Sequence, residues 1–400
     1  MMREIRTDPT RESARPRDGR NVDPRLGELL GEGSAQRVRA MDGAAAGRGR
    51  PAERAWDEPP ADALAAPEGP SYYGQPVLKE PVWRWEIPAY FFVGGLAGAS
   101  AVLGAAASIA GGEGTATLVR RCRLVAAGGA AASAVLLVRD LGRPARFLNM
   151  LRVFRPTSPM NMGTWVLTGF GALSGAAALP ALVAGPRALE RSAGVAAAGA
   201  AVLGLPLVGY TGVLLANTAV PVWQATRNTL PVLFAFSGAV SAGGLFDLWR
   251  TPGPGGEMAH RFGLVAKGAE LALSRALHRE AGAVPRVERA LRRGRGGFLL
   301  RTARGLLLAS AVVDLLPERA WRRRHAASGA LALLGTLALR FGVVAAGRTS
   351  ARDPHATFEM QRAGRGAAEL ARKEGARTRM PSPPGIDPTG KETAEHGAAP

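Results

Sequence analysis

Residues 88–110 read PAYFFVGGLAGASAVLGAAASIA and contain no charged side chain. An uncharged apolar run of about 18 residues or more is long enough to span the hydrocarbon core of a bilayer. Further runs follow it at regular intervals. Together they predict about eight transmembrane helices, at roughly 88–110, 122–139, 163–185, 193–217, 228–249, 259–277, 298–317 and 325–346. The predicted fold class is therefore all-α, a polytopic membrane helix bundle.

The composition of the runs adds detail to this bundle. Small residues, as in GGLAGAS (94–100) and GALSGAA (171–177), let helix backbones approach closely in lipid. The last three runs are less apolar than the first five, because they contain Arg261, Lys267, Glu270, Arg301, Arg304 and Arg340. The sequence leaves open whether the seventh run crosses the membrane completely.

The two ends of the chain differ from its middle. Residues 1–70 and 348–400 are rich in Arg, Asp, Glu, Pro and Gly and are expected to be disordered tails on a bundle at 71–347. The first 50 residues lack the apolar segment of a signal peptide, so the first helix is expected to direct insertion.

The net charge of +19 belongs almost entirely to the middle of the chain, where the basic residues lie between the apolar runs. Anionic lipid headgroups explain such residues better than nucleic acid does. The Lys/Arg counts of the connections favour a cytoplasmic position for the second, fourth and sixth connections and for both termini. This bias depends mostly on the sixth connection, near residues 278–297.

The scarcity of cysteine and histidine excludes several redox centres. One cysteine and five histidines are present, and no histidine lies in the middle of a long apolar run. Iron–sulfur clusters need several thiolates, and a membrane cytochrome b needs facing histidines inside the bundle. We therefore expect no heme, no iron–sulfur cluster and no tightly bound metal in this chain.

Two segments are candidates for docking a partner protein. The aromatic, proline-punctuated segment 71–92 precedes the first helix, and a long arginine-rich connection follows the second helix. An interfacial aromatic belt and a basic loop explain them equally well. As docking residues we single out Tyr72, Tyr73, Lys79, Arg143, Arg146, Arg152 and Arg155.

Polar residues near the bundle rim are candidates for binding a quinone. Asn149, Asn161 and Thr164 lie among apolar residues, the last two where the third helix starts, and Tyr210 interrupts the fourth apolar run. Such groups can hydrogen-bond a quinone oxygen. For Tyr210, a structural bond between helices is the competing interpretation, since a buried hydroxyl needs a partner.

A few ionisable residues lie within the runs. Lys267 and Glu270 are three positions apart, on one face of the sixth helix. Charges in a membrane usually pair or carry protons. They are therefore either a structural pair or, with Asp314 and Arg340, a proton relay.

Five segments of the chain carry a family resemblance. They are YYGQPVLKEPVW, GGLAGAS, DLGRPARFLNMLRVFRPTSPMNMGTWVL, YTGVLLANTAVPVW and ALRFGVVAAGRTSARDPHATFEMQR. With them the chain resembles, over roughly residues 71–362, the polysulfide reductase membrane-subunit (NrfD/PsrC) family.

The resemblance implies the membrane anchor of a respiratory oxidoreductase complex. Such a subunit binds menaquinone or menaquinol near the face that carries a ferredoxin-like iron–sulfur subunit, beyond which lies a molybdopterin catalytic subunit. Tyr210 is the nearest match to the family's quinone-site tyrosine. The first-helix histidine and asparagine of some members have no counterpart, and that region offers Trp85, Glu86 and Tyr90 instead.

The resemblance also places the chain in the plasma membrane. It leaves the substrate of the catalytic partner open among formate, polysulfide, nitrite and tetrathionate. A secondary transporter and a purely structural anchor are the alternatives, since Gly-rich helices and membrane charges occur there too.

Overall fold

The computed structural model describes residues 22–23, 28–29, 76–183, 186–317 and 321–364. The chain divides into two units, Met1–Gly69 and Pro70–Pro400. In the first unit, the strands β1 (Val22–Asp23) and β2 (Glu28–Leu29) pair antiparallel, with Val22 opposite Leu29. The described residues of the second unit form helices and the connections between them.

A long helix corresponds to each of the eight predicted runs, which confirms the all-α membrane bundle. The long helices are α1 (Glu86–Ala110), α2 (Ala116–Leu141), α4 (Pro159–Leu182), α5 (Arg187–Ala216), α7 (Thr229–Leu248), α8 (Gly253–Gly282), α10 (Gly294–Leu315) and α11 (Trp321–Ala351). The short helices between and after them are α3 (Pro144–Leu151), α6 (Pro221–Ala225), α9 (Pro285–Arg292) and α12 (Pro354–Arg362).

Helix ends follow local sequence signals better than hydropathy does. Helix α2 begins at Ala116, six residues before the predicted 122, because the arginines of its second turn reach polar partners at the bundle end. Arg121 donates to the Trp249 carbonyl and to the Thr251 hydroxyl, each at 3.1 Å. Helix α2 ends at Leu141, directly before Gly142, which adopts the left-handed conformation (φ 70°) that favours glycine.

The long helices alternate in direction, so the bundle has two faces. The N-terminal face carries residues 76–85, the connection 142–158 and the short helices α6, α9 and α12. The opposite face carries the connections around residues 111–115, 183–186 and 249–252. The predicted placement of residues 71–85 and 140–162 on one face holds for their described part, since α1 begins and α2 ends at this face.

Six of the long helices are apolar and long enough to cross a membrane, by length and composition: α1, α2, α4, α5, α7 and α11. Helices α8 and α10 are more charged, yet they run the full height of the bundle, because α9 between them packs against α6 and α12 at the N-terminal face. The charged side chains Lys267 and Glu270 of α8 are buried inside the bundle. The bundle therefore has eight long helices, of which six have the composition of a membrane span.

The folded part extends past residue 347, where the sequence placed the start of a C-terminal tail. Helix α11 continues to Ala351, and α12 packs on α9 and α6. The Asp353 side chain caps α12 through the His355 N–H and accepts 2.8 and 3.3 Å hydrogen bonds from Arg286. Partial burial tends to raise the pKa of Asp353, but the bonds and charge of Arg286 outweigh it and lower the pKa. This attachment therefore weakens as the pH falls through that lowered value.

Close backbone contacts place α1 at the centre of the bundle. A Cβ on Gly204 of α5 would lie 2.8 Å from the Gly98 carbonyl oxygen, and one on Gly238 of α7 would lie 2.8 Å from the Gly95 carbonyl oxygen. Only glycine permits these approaches, which is the packing expected of small residues in membrane helices. Phe91 and Leu103 of α1 are accordingly buried.

Labelling of introduced cysteines tests this topology. The native cysteine, Cys122, need not be removed first, because it is buried. A membrane-impermeant maleimide is expected to modify V82C, F154C and R293C from one side of sealed vesicles and A116C from the other. Modification of R293C from the same side as A116C would show that α8 and α10 do not cross the membrane.

Candidate functional site

The Tyr210 ring lies against the start of α4. A Cβ on Gly163 would overlap the ring, so this glycine opens the space that the ring fills. The Tyr210 hydroxyl donates a 2.6 Å hydrogen bond to the Pro159 carbonyl in the first turn of α4. Tyr210 therefore makes the structural hydrogen bond between helices that was the alternative to a quinone-binding role.

A group of buried and half-buried polar side chains lies at the N-terminal face, and we call it the rim cluster: Glu86, Tyr90, Ser133, Asp140 and Tyr210. Glu86 and Tyr90 lie one turn apart on α1 and are both buried. Tyr90 interacts electrostatically with Tyr210, and Asp140 of α2 interacts with Glu86. A Cβ on Gly94 would lie 3.5 Å from the Ser133 Oγ and 3.7 Å from the Tyr90 ring.

Two atoms of the rim cluster are buried without a hydrogen-bond partner in the described structure: Oε2 of Glu86 and Oγ of Ser133. Such atoms are costly unless a water or ligand satisfies them. The rim cluster therefore offers hydrogen-bonding capacity to a small molecule that enters between α1 and α2.

Asn161 has a different role from the one that its sequence position suggested. Its Nδ2 donates to the carbonyls of Met150 and Val153 at 2.6 and 2.9 Å, and its Oδ1 accepts from the Arg155 N–H at 2.7 Å. Both amide N–H groups are thus engaged in holding the connection between α3 and α4. Asn161 shapes the N-terminal face instead of pointing a free amide at a ligand.

The remaining three quinone candidates are distributed over the same face. Thr164 is buried and donates a 3.0 Å hydrogen bond to the Met160 carbonyl of its own helix. Asn149 and Trp85 are exposed, and Trp85 occupies the N-cap position of α1. Of the six candidates, the structure brings Tyr210 and Glu86 together, through Tyr90.

The four residues that the sequence suggested as a proton relay form two separate groups inside the bundle. Lys267 donates to Asp314 of α10 at 2.6 Å and to the Ser328 hydroxyl of α11 at 2.8 Å, and both charged side chains are almost fully buried. The expectation that Lys267 pairs with Glu270 is therefore wrong. Lys267 and Glu270 share one side of α8, but the Lys267 ammonium extends toward the opposite face of the bundle. There α10 supplies the Asp314 carboxylate.

Glu270 instead faces Arg340 of α11 and Ser237 of α7. The Arg340 guanidinium lies 3.8 Å from the Phe234 ring centroid and donates a 2.8 Å hydrogen bond to the Phe234 carbonyl. Stacking on an aromatic face favours a cation that has lost its water. Between the two groups, the Ser241 hydroxyl donates to Thr336 at 2.9 Å.

Residues 76–85 lie across the N-terminal face. Trp83 stacks on Trp223 of α6, with ring centroids 5.5 Å apart, and Glu80 accepts a 2.8 Å hydrogen bond from Arg352. The segment is thus anchored at both α6 and the end of α11. Tyr72 and Tyr73 lie outside the described residues.

The arginine-rich connection forms the outer part of this face. Its side chains Arg143, Arg146, Arg152 and Arg155 are exposed, as is Lys79. Exposed apolar side chains lie among them, including Leu148 at 63% and Phe154 at 59% of full exposure. Apolar side chains rimmed by cations are typical of a surface that binds a protein or a lipid headgroup layer.

One further group of polar side chains was not predicted from the sequence. Asp247 of α7, His260 of α8 and His325 of α11 converge near the opposite face, although the histidines are 65 positions apart. The sequence could have indicated this group only through position along the helices, because each of the three residues lies within about two turns of a helix end on that face.

The fold and these buried charges define a multi-pass helical membrane protein with polar groups in its interior. Within that class, the model of the family described as polysulphide reductase, NrfD, matches residues 75–248, which include α1, α2, α4, α5 and α7. This part of the chain, a little under half of it, is similar to the NrfD family, which consists of membrane subunits of respiratory oxidoreductase complexes. No curated protein and no solved structure matched the chain.

The match confirms the N-terminal three-fifths of the resemblance that the sequence suggested over residues 71–362. The fifth segment, ALRFGVVAAGRTSARDPHATFEMQR, lies outside the match. The rim cluster lies wholly inside it, whereas Lys267, Glu270, Asp314 and Arg340 lie outside.

Proposed function

We propose that this protein is the quinol-handling anchor of its oxidoreductase complex in the plasma membrane. Menaquinol bound at the rim cluster would lose two electrons and two protons, or menaquinone would gain them. The electrons would pass to or from a ferredoxin-like iron–sulfur subunit docked on the N-terminal face, and through it to a molybdopterin catalytic subunit.

The buried, unpartnered Oε2 of Glu86 carries this proposal. A quinol hydroxyl is a donor of the size and polarity that such a carboxylate accepts, and quinone sites combine apolar walls with a few polar groups. Tyr90 and Tyr210 supply aromatic walls beside it. Tyr210 already donates its proton to Pro159, so its hydroxyl serves mainly to position its ring.

The iron–sulfur partner would dock on the same face as the rim cluster, because electron transfer requires a short distance. A cluster that exchanges electrons with a quinol at the rim must lie close to that rim, which places the partner over residues 76–85 and 142–158. The exposed arginines and Lys79 there suit a partner with an acidic contact surface.

Protons would reach or leave the site through the bundle interior. Arg340 and Glu270 lie nearer the N-terminal face, and Lys267 and Asp314 lie nearer the opposite face, with Ser241 and Thr336 between them. Charged and hydroxyl side chains at intervals through a membrane protein are typical of proton relays.

The quinol site is tested by binding 2,3-dimethyl-1,4-naphthoquinone, a tail-less menaquinone headgroup, in its oxidised and reduced forms. E86Q keeps the size of the side chain and removes the charged acceptor. We expect it to weaken binding of the reduced form at least several-fold, since hydrogen bonds to charged groups contribute about 1.5–3 kcal/mol. Y210F should have a smaller effect, because the Tyr210 proton is already bonded to Pro159.

The matched control is E257Q, which changes an exposed glutamate on α8. It should bind both forms like the wild type. If E86Q also binds the reduced headgroup with wild-type affinity, the site does not lie at the rim cluster.

A further inference from the structure

The group of Asp247, His260 and His325 lies at the opposite face, remote from the rim cluster. Glycine contacts bring its three helices together next to these residues. A Cβ on Gly243 of α7 would lie 2.5 Å from the Gly263 Cα of α8, and Gly329 of α11 packs directly on the Gly244 carbonyl. Each glycine lies three or four positions from one of the three polar residues, so the helix backbones hold these side chains at a defined spacing.

Three donor atoms of this group converge on one point. The His260 Nδ1 lies 3.1 Å from the His325 Nδ1 and 3.3 Å from the Asp247 Oδ1, and the His325 Nδ1 lies 3.7 Å from the same oxygen. The two imidazole rings are nearly perpendicular, at 84°. The carboxylate and both histidine side chains are 5%, 15% and 12% exposed.

Hydrogen bonding alone satisfies this arrangement poorly. Each Nδ1 atom carries either one proton or one lone pair in the ring plane. If His260 donates to Asp247, its Nδ1 has no lone pair to accept a proton from His325, and the two imidazoles can share only a bifurcated hydrogen bond. If it accepts from His325, its lone pair faces the carboxylate. A cation at the centre would be coordinated by the lone pairs of both Nδ1 atoms and of the carboxylate oxygen together.

The spacing also matches metal coordination. Zinc–nitrogen and zinc–oxygen bonds of about 2.0–2.2 Å place the ligand atoms of a tetrahedral site about 3.3–3.5 Å apart. The three observed separations lie around that value. Two imidazoles and one carboxylate are a donor set used by zinc and other first-row divalent ions.

The fourth position faces an open cavity. Asp247, His260 and His325 line a space of about 600 Å³ together with residues of the α7–α8 connection. That space has room for water or a small ligand on the metal, and the polar side chains of Thr251 and Glu257 also line it. A site with three protein ligands and one open position is the arrangement of reactive metal centres.

We propose that Asp247, His260 and His325 bind a divalent first-row metal ion of the zinc class at the opposite face of the bundle, with one exchangeable position toward the cavity. The ion would join the ends of α7, α8 and α11. The site is independent of quinol binding at the rim cluster.

The test is zinc binding by the full-length protein, purified in detergent with an affinity tag that contains no histidine. We expect one equivalent of Zn²⁺, measured by elemental analysis after gel filtration and by competition with a chromophoric chelator. H260Q, H325Q and D247N should each lower zinc affinity by tenfold or more. H278Q, which removes a histidine from the far end of the same α8 helix, should retain wild-type affinity.

Cobalt gives a second readout on the unchanged protein. Co²⁺ in a site with at most five ligands has visible d–d absorption that weakens on addition of Zn²⁺, and we expect this band from the wild type. Its absence, or zinc binding by the wild type no tighter than by H260Q and H325Q, would overturn the proposal even if one variant fails to fold. Equal loss of zinc in H278Q would show adventitious binding and overturn it as well.

Discussion

The variant K267M is expected to destabilise the bundle by about 3–5 kcal/mol, the loss typical when one partner of a buried ion pair is removed. Methionine has nearly the volume of lysine, so little packing is lost. The damage comes from Asp314, which remains buried beneath α8 without its 2.6 Å cation partner. The Ser328 hydroxyl also loses its bond to the ammonium.

Reversible unfolding in mixed micelles, followed by helical circular dichroism, measures this effect. R261M is the matched control, because Arg261 lies on the same helix and its side chain is 74% exposed. Its effect should be below about 1 kcal/mol, the usual range for an exposed ion pair. The double variant K267M/D314L should regain most of the stability. If K267M unfolds like R261M, the buried pair does not hold α8 against α10.

The second large effect is expected from G204V. The nearest neighbour of an added Cβ is the Gly98 carbonyl oxygen, at 2.8 Å, and the Gly98 Cα follows at 3.4 Å. These are backbone atoms of the central helix, which cannot move aside as a side chain can. Overpacking of this kind costs about 1–3 kcal/mol, and we expect the upper end of that range because α1 also packs on α2 and α7.

G194V is the control on the same α5 helix, since a Cβ at Gly194 meets no atom within 4 Å. Both variants carry the same β-branched residue in a helix, so differences in helix propensity cancel. The measurement is the unfolding midpoint together with the monodisperse fraction on gel filtration. Equal behaviour of the two variants would contradict the close packing of α1 and α5.

Much of the helix bundle was predictable from hydropathy. Residues 88–110 and 228–249 correspond closely to α1 and α7, because an uncharged apolar run leaves the backbone no partners in lipid except its own helix. The ends were less predictable. Ala116 and Leu182 are helix ends that depend on arginine contacts and on neighbouring loops, which hydropathy does not record.

The site was predictable only in part. Tyr210 attracted notice as a polar residue in an apolar run, and Glu86 as part of the first-helix region that the family resemblance singled out. Both belong to the rim cluster. Asn161 attracted notice for the same reason as Tyr210, yet its amide holds the connection after α3. A polar residue among apolar ones is the signal for both Tyr210 and Asn161. Only the tertiary structure shows which backbone carbonyls the two side chains contact.

The sequence by itself determined the class of this protein: a polytopic membrane bundle with basic connections, few possible metal or heme ligands, and the motifs of the NrfD family. Local hydrophobicity and composition are sufficient for those conclusions, because the bilayer imposes helix length and burial on each segment separately. The tertiary structure decided which side chains meet. Lys267 pairs with Asp314 instead of its helix neighbour Glu270, and Asp247, His260 and His325 converge from three helices. Partners of this kind depend on helix order, rotation and depth, which close glycine contacts between distant segments establish and which no single segment encodes.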